Sequence, residues 1–218
     1  MVGQHQGGEP SRRVDWLELF GTATTFVMLN LLWLFGALLF VTIPALTAAL
    51  LACMVPWSRG EPLISPLATF WQALRRYWVR ATLIAGLDLV LSSFILLNLL
   101  ILRQMGLNQL LPLAAAVLNL TGLALLAVAN IFGWALLVTQ NAPLRVVLMN
   151  GARLAIRHPL WGLLLASLIG GILLLTAILP RFFMLTVSFA ACAYIVQWGA
   201  WHIIRRYITG DDQPQRGV

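Results

Sequence analysis

Lysine is absent from this 218-residue chain, and all fourteen of its basic residues are arginine. Acids are scarcer, at seven. Charged residues make up 10% of the chain and apolar residues 61%, with a mean hydropathy of +0.89. That is too little charge to cover the surface of a soluble domain of this size, so the outer surface meets lipid. The net charge of +7 does not read as a nucleic-acid footprint, because the arginines stand at the ends of apolar runs, where they act as a topology signal. Cysteine is nearly missing too. Cys53 and Cys192 are isolated among apolar neighbours and fit neither a zinc nor a redox spacing. No hydrophilic stretch is long enough to fold as a separate soluble domain.

Catalytic patterns are also lacking. There is no phosphate-cradling glycine loop, no HExxH and no GxSxG. His158 and His202 have no carboxylate or cysteine at metal spacing, and Ser92-Ser93 has no visible histidine or acid partner. The expectation is a protein with no catalytic residues, no metal and no cofactor.

What remains is a series of apolar segments, with room for about six crossings of roughly 20 residues each. The expected fold is an all-α polytopic membrane bundle of five to six transmembrane segments, plus two basic amphipathic interfacial helices. The first span runs from Thr22 to Val41, and Thr42-Ile43-Pro44 breaks it because proline removes a donor and clashes with the preceding turn. Ala45–Val55 is short. It reads as a sixth span, a re-entrant half-helix or a kinked continuation. Pro56–Pro66 is a turn-rich joint. Leu67–Arg80 reads as an interfacial helix, with Leu67, Phe70, Trp71, Leu74 and Trp78 on one face and Thr69, Gln72, Arg76 and Arg80 on the other. Ala81–Leu102 is a span, Arg103–Gln109 a loop, and Leu111–Thr139 a span with Pro112 in its first turn. Pro143–His158 is the second basic amphipathic piece, ended by Pro159. Leu160–Leu179 and Phe182–Ile204 are the last spans, joined through Pro180-Arg181.

Residues 14–208 thus form one transmembrane domain, and residues 1–13 and 209–218 read as disordered tails. The first apolar run is much longer than the core of a signal peptide, so it reads as a retained anchor. Arg59, Arg75, Arg76, Arg80, Arg145, Arg153, Arg157, Arg205, Arg206 and Arg216 fall on one side, while the opposite loops hold only Arg103 and Arg181. The positive-inside bias makes the richer side cytoplasmic, and it favours six spans over five. Each half of the chain also has a span, a proline, a basic helix and another span, the outline of an internal repeat.

Asp88 is the only acid inside a span. A carboxylate in hydrocarbon costs several kcal/mol unless it is paired, protonated or wet. It reads either as a proton or ligand site or as a structural hydrogen bond, with Ser92 one turn on. Asn119 and Asn130 share one helix face with Gly122, Leu126 and Gly133, which reads as a helix seam or as a polar conduit. Asp88, Ser92, Asn119 and Asn130 are therefore the candidate intramembrane polar site. Arg75, Arg76, Arg80, Arg153 and Arg157 are the candidate cytoplasmic surface, facing anionic headgroups, a partner, or both. Thr42 and Pro44 mark the helix break.

Asn30-Leu-Leu-Trp33, Val41-Thr-Ile-Pro-Ala45 and Thr47-Ala-Ala-Leu50 resemble the opening of the YesL-like family of bacterial membrane proteins. Arg59-Gly60-Glu61, Phe70-Trp71-Gln72-Ala73-Leu74-Arg75-Arg76-Tyr77-Trp78 and Ala81-Thr82-Leu83 resemble its central signature, and Asn150–Pro159 resembles its later basic helix. The likeness covers about residues 17–207 and is strongest before Leu83. The family often has glycine before the proline of the break; Ile43 here implies a stiffer one. The resemblance implies a protein of the bacterial inner membrane that assists carbohydrate ABC transporters, touching their permease subunits. The competing reading is a small secondary transporter or channel built around Asp88.

Overall fold

The computed structural model describes residues 16–105, 109–140, 142–178 and 187–210, with side chains from Phe20 to Arg205. The stretch read as an N-terminal tail, most of the C-terminal one, the tip of the Arg103–Gln109 loop and the Pro180-Arg181 turn lie outside the described residues. Among the described residues seven α-helices follow one another: α1 Trp16–Ala37, α2 Ile43–Ser58, α3 Pro66–Met105, α4 Leu110–Thr139, α5 Leu144–Arg157, α6 Pro159–Ile178 and α7 Ser188–Gly210. The described residues contain no strand. Only helices satisfy their own backbone within a bilayer without closing a barrel. Five segments are long and apolar enough to cross: α1, α2 with the 3₁₀ turn before it, α3, α4 and α6. The chain is a multi-pass membrane protein with an all-α bundle. The expected last span, Phe182–Ile204, starts outside the described residues and continues as α7.

The break after the first span has a local cause. Thr42 Oγ1 lies 2.6 Å from both the Gly36 and the Leu39 carbonyl oxygens, which also accept the backbone N–H groups of Leu39 and Thr42 as the chain leaves α1. A 3₁₀ turn, Phe40–Thr42, reverses the chain, and Pro44 sits in the first turn of α2, where its missing donor costs nothing. α2 then runs back along α1. Trp33 meets Thr47 near the turn, and Phe26 stacks on Trp57 at the far end, with centroids 4.8 Å apart. Gly36 makes room for this return, because a Cβ there would lie 2.6 Å from a Leu46 methyl. α2 ends in a Schellman turn, with Glu61 N–H on Pro56 O at 2.9 Å and Gly60 N–H on Trp57 O at 3.1 Å. Gly60 supplies the φ of +80° that this turn needs.

α2 is the centre of the bundle, touching α1, α3, α4 and α7. Ala45, Ala48, Ala49 and Cys53 are fully buried on it. Small side chains let the surrounding helices approach closely, which is how packing is gained where lipid tails are as apolar as leucine.

The interfacial helix expected to end at Arg80 does not end there. α3 continues unbroken for 40 residues, about 60 Å at 1.5 Å per residue. No proline or glycine interrupts Arg80-Ala81-Thr82, so nothing stops the helix. Arg80 and Arg103 stand 23 residues apart, about 35 Å, close to the hydrocarbon thickness. Leu67–Arg80 therefore shares the axis of the span and does not lie flat while Ala81–Leu102 crosses. Its inward stripe also differs from the expected one. Phe70, Ala73, Tyr77, Ala81 and Ile84 are buried, whereas Leu67, Trp71 and Trp78 are exposed. The small residues of the stripe go inside, and the tryptophans face out beside the arginines, as amphipathic rings do at a boundary. The second basic piece is a separate helix, because Pro159 stops α5. That contrast, an unbroken α3 against a split α5–α6, sets the two halves apart despite their shared outline.

α5 lies on α4 through Val147, Gly151 and Ala155. A Cβ on Gly151 would come within 3.1 Å of the Gly133 backbone. Backbone has no rotamer with which to give way. Gly151→Leu is expected to push α5 off α4 and destabilise the protein by ~1–3 kcal/mol or more. Gly170→Leu, where a Cβ meets nothing within 4 Å, is expected to leave stability unchanged. Thermal unfolding of both in detergent checks this.

Candidate functional site

α3 and α4 run antiparallel: the Tyr77 hydroxyl donates to Val138 O at 3.3 Å, and Arg80 donates to Ala142 O at 3.4 Å. That register sets Asp88 opposite Asn130, whose side chain is its hydrogen-bonding neighbour. The carboxylate thus has a partner on α4, which relieves the cost of a lone charge at this depth. Ser92 is half-buried one turn further along α3. Asn119 turns away, its amide donating to Ala115 O of its own helix at 2.9 Å. Of the four candidate polar residues, the fold joins Asp88 and Asn130, keeps Ser92 beside them on α3, and turns Asn119 to its own backbone. The stripe on α4 divides likewise. Gly133 lies under α5, while Gly122 and Leu126 border a cleft facing α3 and α5.

Asn130 also borders a cleft of about 280 Å³ between α1, α2, α4 and α7. Trp33, Leu50, Trp134, Phe189 and Cys192 make most of its wall, so it is apolar with an amide at one edge. Its size is at the lower end for small-molecule sites. Thr47, also in the wall, is already engaged: it accepts from Trp33 Nε1–H at 3.2 Å and donates to Ile43 O at 2.9 Å.

Above this wall is a contact that pattern reading alone did not find. Asn30 is fully buried on α1, and its Oδ1 accepts from Phe189 N–H at 3.0 Å and Ala190 N–H at 3.2 Å. These are first-turn donors of α7, which no intrahelical carbonyl can satisfy. Asn30 caps α7 from another helix. One turn on, Trp33 stacks on Phe189 at 4.0 Å. The signal was visible as an amide and an indole at i, i+3 in an otherwise apolar span, but its partner lies 159 residues away. Gln197 on α7 is fully buried, with neither amide atom partnered among the described residues.

The arginines divide. Arg75, Arg76, Arg153 and Arg157 are exposed, while Arg80 is half-buried and serves as the tie to Ala142. Arg59 lies over the Trp201 ring at 4.6 Å, joining the end of α2 to α7. Cys53 and Cys192 are free thiols. Among the described residues, no three His, Cys, Asp or Glu side chains gather as a metal site.

Residues 26–99 match the family described as "Protein of unknown function, DUF624". Over that stretch, about a third of the chain, the sequence is similar to this family. The stretch holds Asn30, Trp33, the Thr42–Pro44 break, the Gly60 turn and most of α3. The chain is also 33% identical over 102 residues to the "Uncharacterized protein YteU" of Bacillus subtilis (strain 168). That alignment covers 44% of this chain and 43% of the relative, so the likeness spans under half of either protein. No solved structure matches the chain.

Replacing Asn30 by Ala leaves two buried N–H groups without an acceptor, at about 1–3 kcal/mol for each such group. Asn30→Ala is expected to lower the unfolding midpoint clearly, and Asn30→Asp, which keeps an acceptor oxygen, to lower it less. Thermal unfolding in detergent, read by circular dichroism, checks both.

Proposed function

We propose that this is a non-enzymatic protein of the bacterial inner membrane that acts by contact, as an accessory or assembly partner of a carbohydrate ABC transporter. The observation that carries this reading is the placement of the exposed arginines. The bond from Arg80 to Ala142 sets the basic part of α3 beside the joint that leads into α5. Arg75 and Arg76 on α3 and Arg145, Arg153 and Arg157 on α5 then point outward from neighbouring elements. Such a surface meets a partner without chemistry of its own, whereas catalysis needs a nucleophile or metal with a positioned base. The transporter class and the permease contact come from the family resemblance.

A second reading has its own support. Asp88 and Asn130 form a polar pair, Asn130 also borders a cleft within the bundle, and an intramembrane carboxylate is a site by default for a proton or solute pathway. In that reading the protein is a small secondary transporter or channel.

Changing Arg76, Arg80, Arg153 and Arg157 to Gln is expected to reduce co-purification with a transporter permease while the protein still inserts in the membrane. Pull-down from native membranes that returns the protein alone contradicts the contact reading. Solute flux through vesicles holding only the purified protein, abolished by Asp88→Asn, moves the conclusion to the transporter.

A further inference from the structure

Two hydrogen-bond donors on one face of α4 line the cleft between α1, α2, α4 and α7. Asn130 and Trp134 stand four residues apart in its wall, as neighbours on the helix surface. A carboxylate only accepts, so Asp88 engages one amide hydrogen of Asn130. Among the described residues the second amide hydrogen and the half-buried Trp134 indole N–H meet no acceptor. An indole N–H taken away from water usually has one. The other polar groups of the wall are engaged: Trp33 Nε1–H is on Thr47, and the Thr47 hydroxyl is on Ile43 O.

The surroundings limit what can meet those donors. Asn130 is opposite Asp88, which stands eight residues, about 12 Å of helix, inside Arg80. The cleft therefore lies within the hydrocarbon, and its occupant arrives through lipid. No charged side chain lines it, so an ion would have no counter-charge there. A sugar is excluded too, because most of its hydroxyls would face leucine, isoleucine and valine. What fits is a neutral, lipid-soluble molecule with acceptor oxygens on an apolar body. The rings of Trp33, Trp134 and Phe189 in the wall favour a flat body. A volume of about 280 Å³ suits a small ring system.

We propose that this cleft binds a neutral, lipid-soluble quinone, with its carbonyl oxygens on the Asn130 amide and the Trp134 indole N–H. Carbonyl oxygens accept without donating, which matches the two free N–H groups. The flat ring then lies among the aromatic side chains. The site needs neither a partner protein nor solute flux, so it stands apart from both readings of function.

The experiment uses purified full-length protein in detergent and thermal unfolding at rising ligand concentration, since a ligand that binds only the folded state raises the midpoint. The probes are duroquinone and durene. Duroquinone is a fully methylated benzoquinone with no free ring position for a thiol to attack, and durene is the same methylated ring without oxygens. Duroquinone is expected to raise the midpoint. Durene, with no acceptor for the two N–H groups, is expected to need ~10-fold or more of the concentration for an equal rise. Trp134→Phe keeps a ring in the wall and removes the N–H. It is expected to raise the duroquinone concentration needed by roughly 3–10-fold, the usual net effect of one hydrogen bond, and to leave the durene response unchanged. Cys192→Phe, which fills the cleft from α7, is expected to abolish the duroquinone response. Equal responses to the two probes, no response to duroquinone, or a duroquinone response that neither variant changes overturns the proposal. If Cys192→Phe fails to fold, Trp134→Phe decides alone. Loss of permease contact or absence of flux, with the duroquinone response intact, contradicts those readings and leaves this one standing.

Discussion

The bundle depends on one carbonyl oxygen. Asn30 Oδ1 takes the first free N–H groups of α7 from across the fold, and nothing in a bilayer interior could replace it. A helix start in water finds solvent. A helix start among apolar side chains must be given an acceptor, and here the first helix gives it to the last. The two neighbouring aromatic contacts extend that tie: Trp33 on Phe189, and Phe26 edge-on to Tyr194 at 6.2 Å. α1 and α7 are thereby antiparallel and clasped, and α2 is enclosed between them and the α3–α4 pair.

The family likeness falls on the hairpin that carries one half of this clasp. The matched stretch covers most of the α1–α2 hairpin and most of α3, and the hairpin holds much of the backbone punctuation. Thr42 ties off the end of α1, Pro44 opens α2, Gly36 admits Leu46, and Gly60 closes α2 with a left-handed residue. Each answers a backbone demand that lipid cannot meet. The arginine surface draws on both parts of the chain, with Arg75, Arg76 and Arg80 inside that stretch and Arg145, Arg153 and Arg157 outside it.

Much of the fold was legible in the sequence. Apolar length marked the spans, and Pro44 and Pro159 marked real breaks. The unbroken α3 departs from the expectation of a separate interfacial helix, since the amphipathic periodicity over Leu67–Arg80 carries no stop signal at its end. Periodicity shows which residues share a face, not where a helix stops, and stopping needs a residue that cannot continue. The inward stripe was misjudged for a related reason. Hydrophobicity alone places Trp71 and Trp78 inside, but close approach to α2 favours Ala73 and Ala81. At the candidate site, Asp88 and Asn130 were each visible as polar residues in apolar spans. Their pairing was not, because it depends on the register of two helices across an antiparallel hairpin. The cap on α7 was harder still, since its two parts lie at opposite ends of the sequence.

The most direct test of the clasp is a crosslink between α1 and α7. Cysteines replace Trp33 and Phe189, whose rings lie 4.0 Å apart, in a chain whose Cys53 and Cys192 are changed to Ala and whose α3–α4 joint carries a protease site. After treatment with a short thiol crosslinker in native membranes and then cleavage, the two halves are expected to migrate as one covalent species. Halves that separate completely, with both cysteines shown to be reactive, would contradict a bundle closed by its first and last helices.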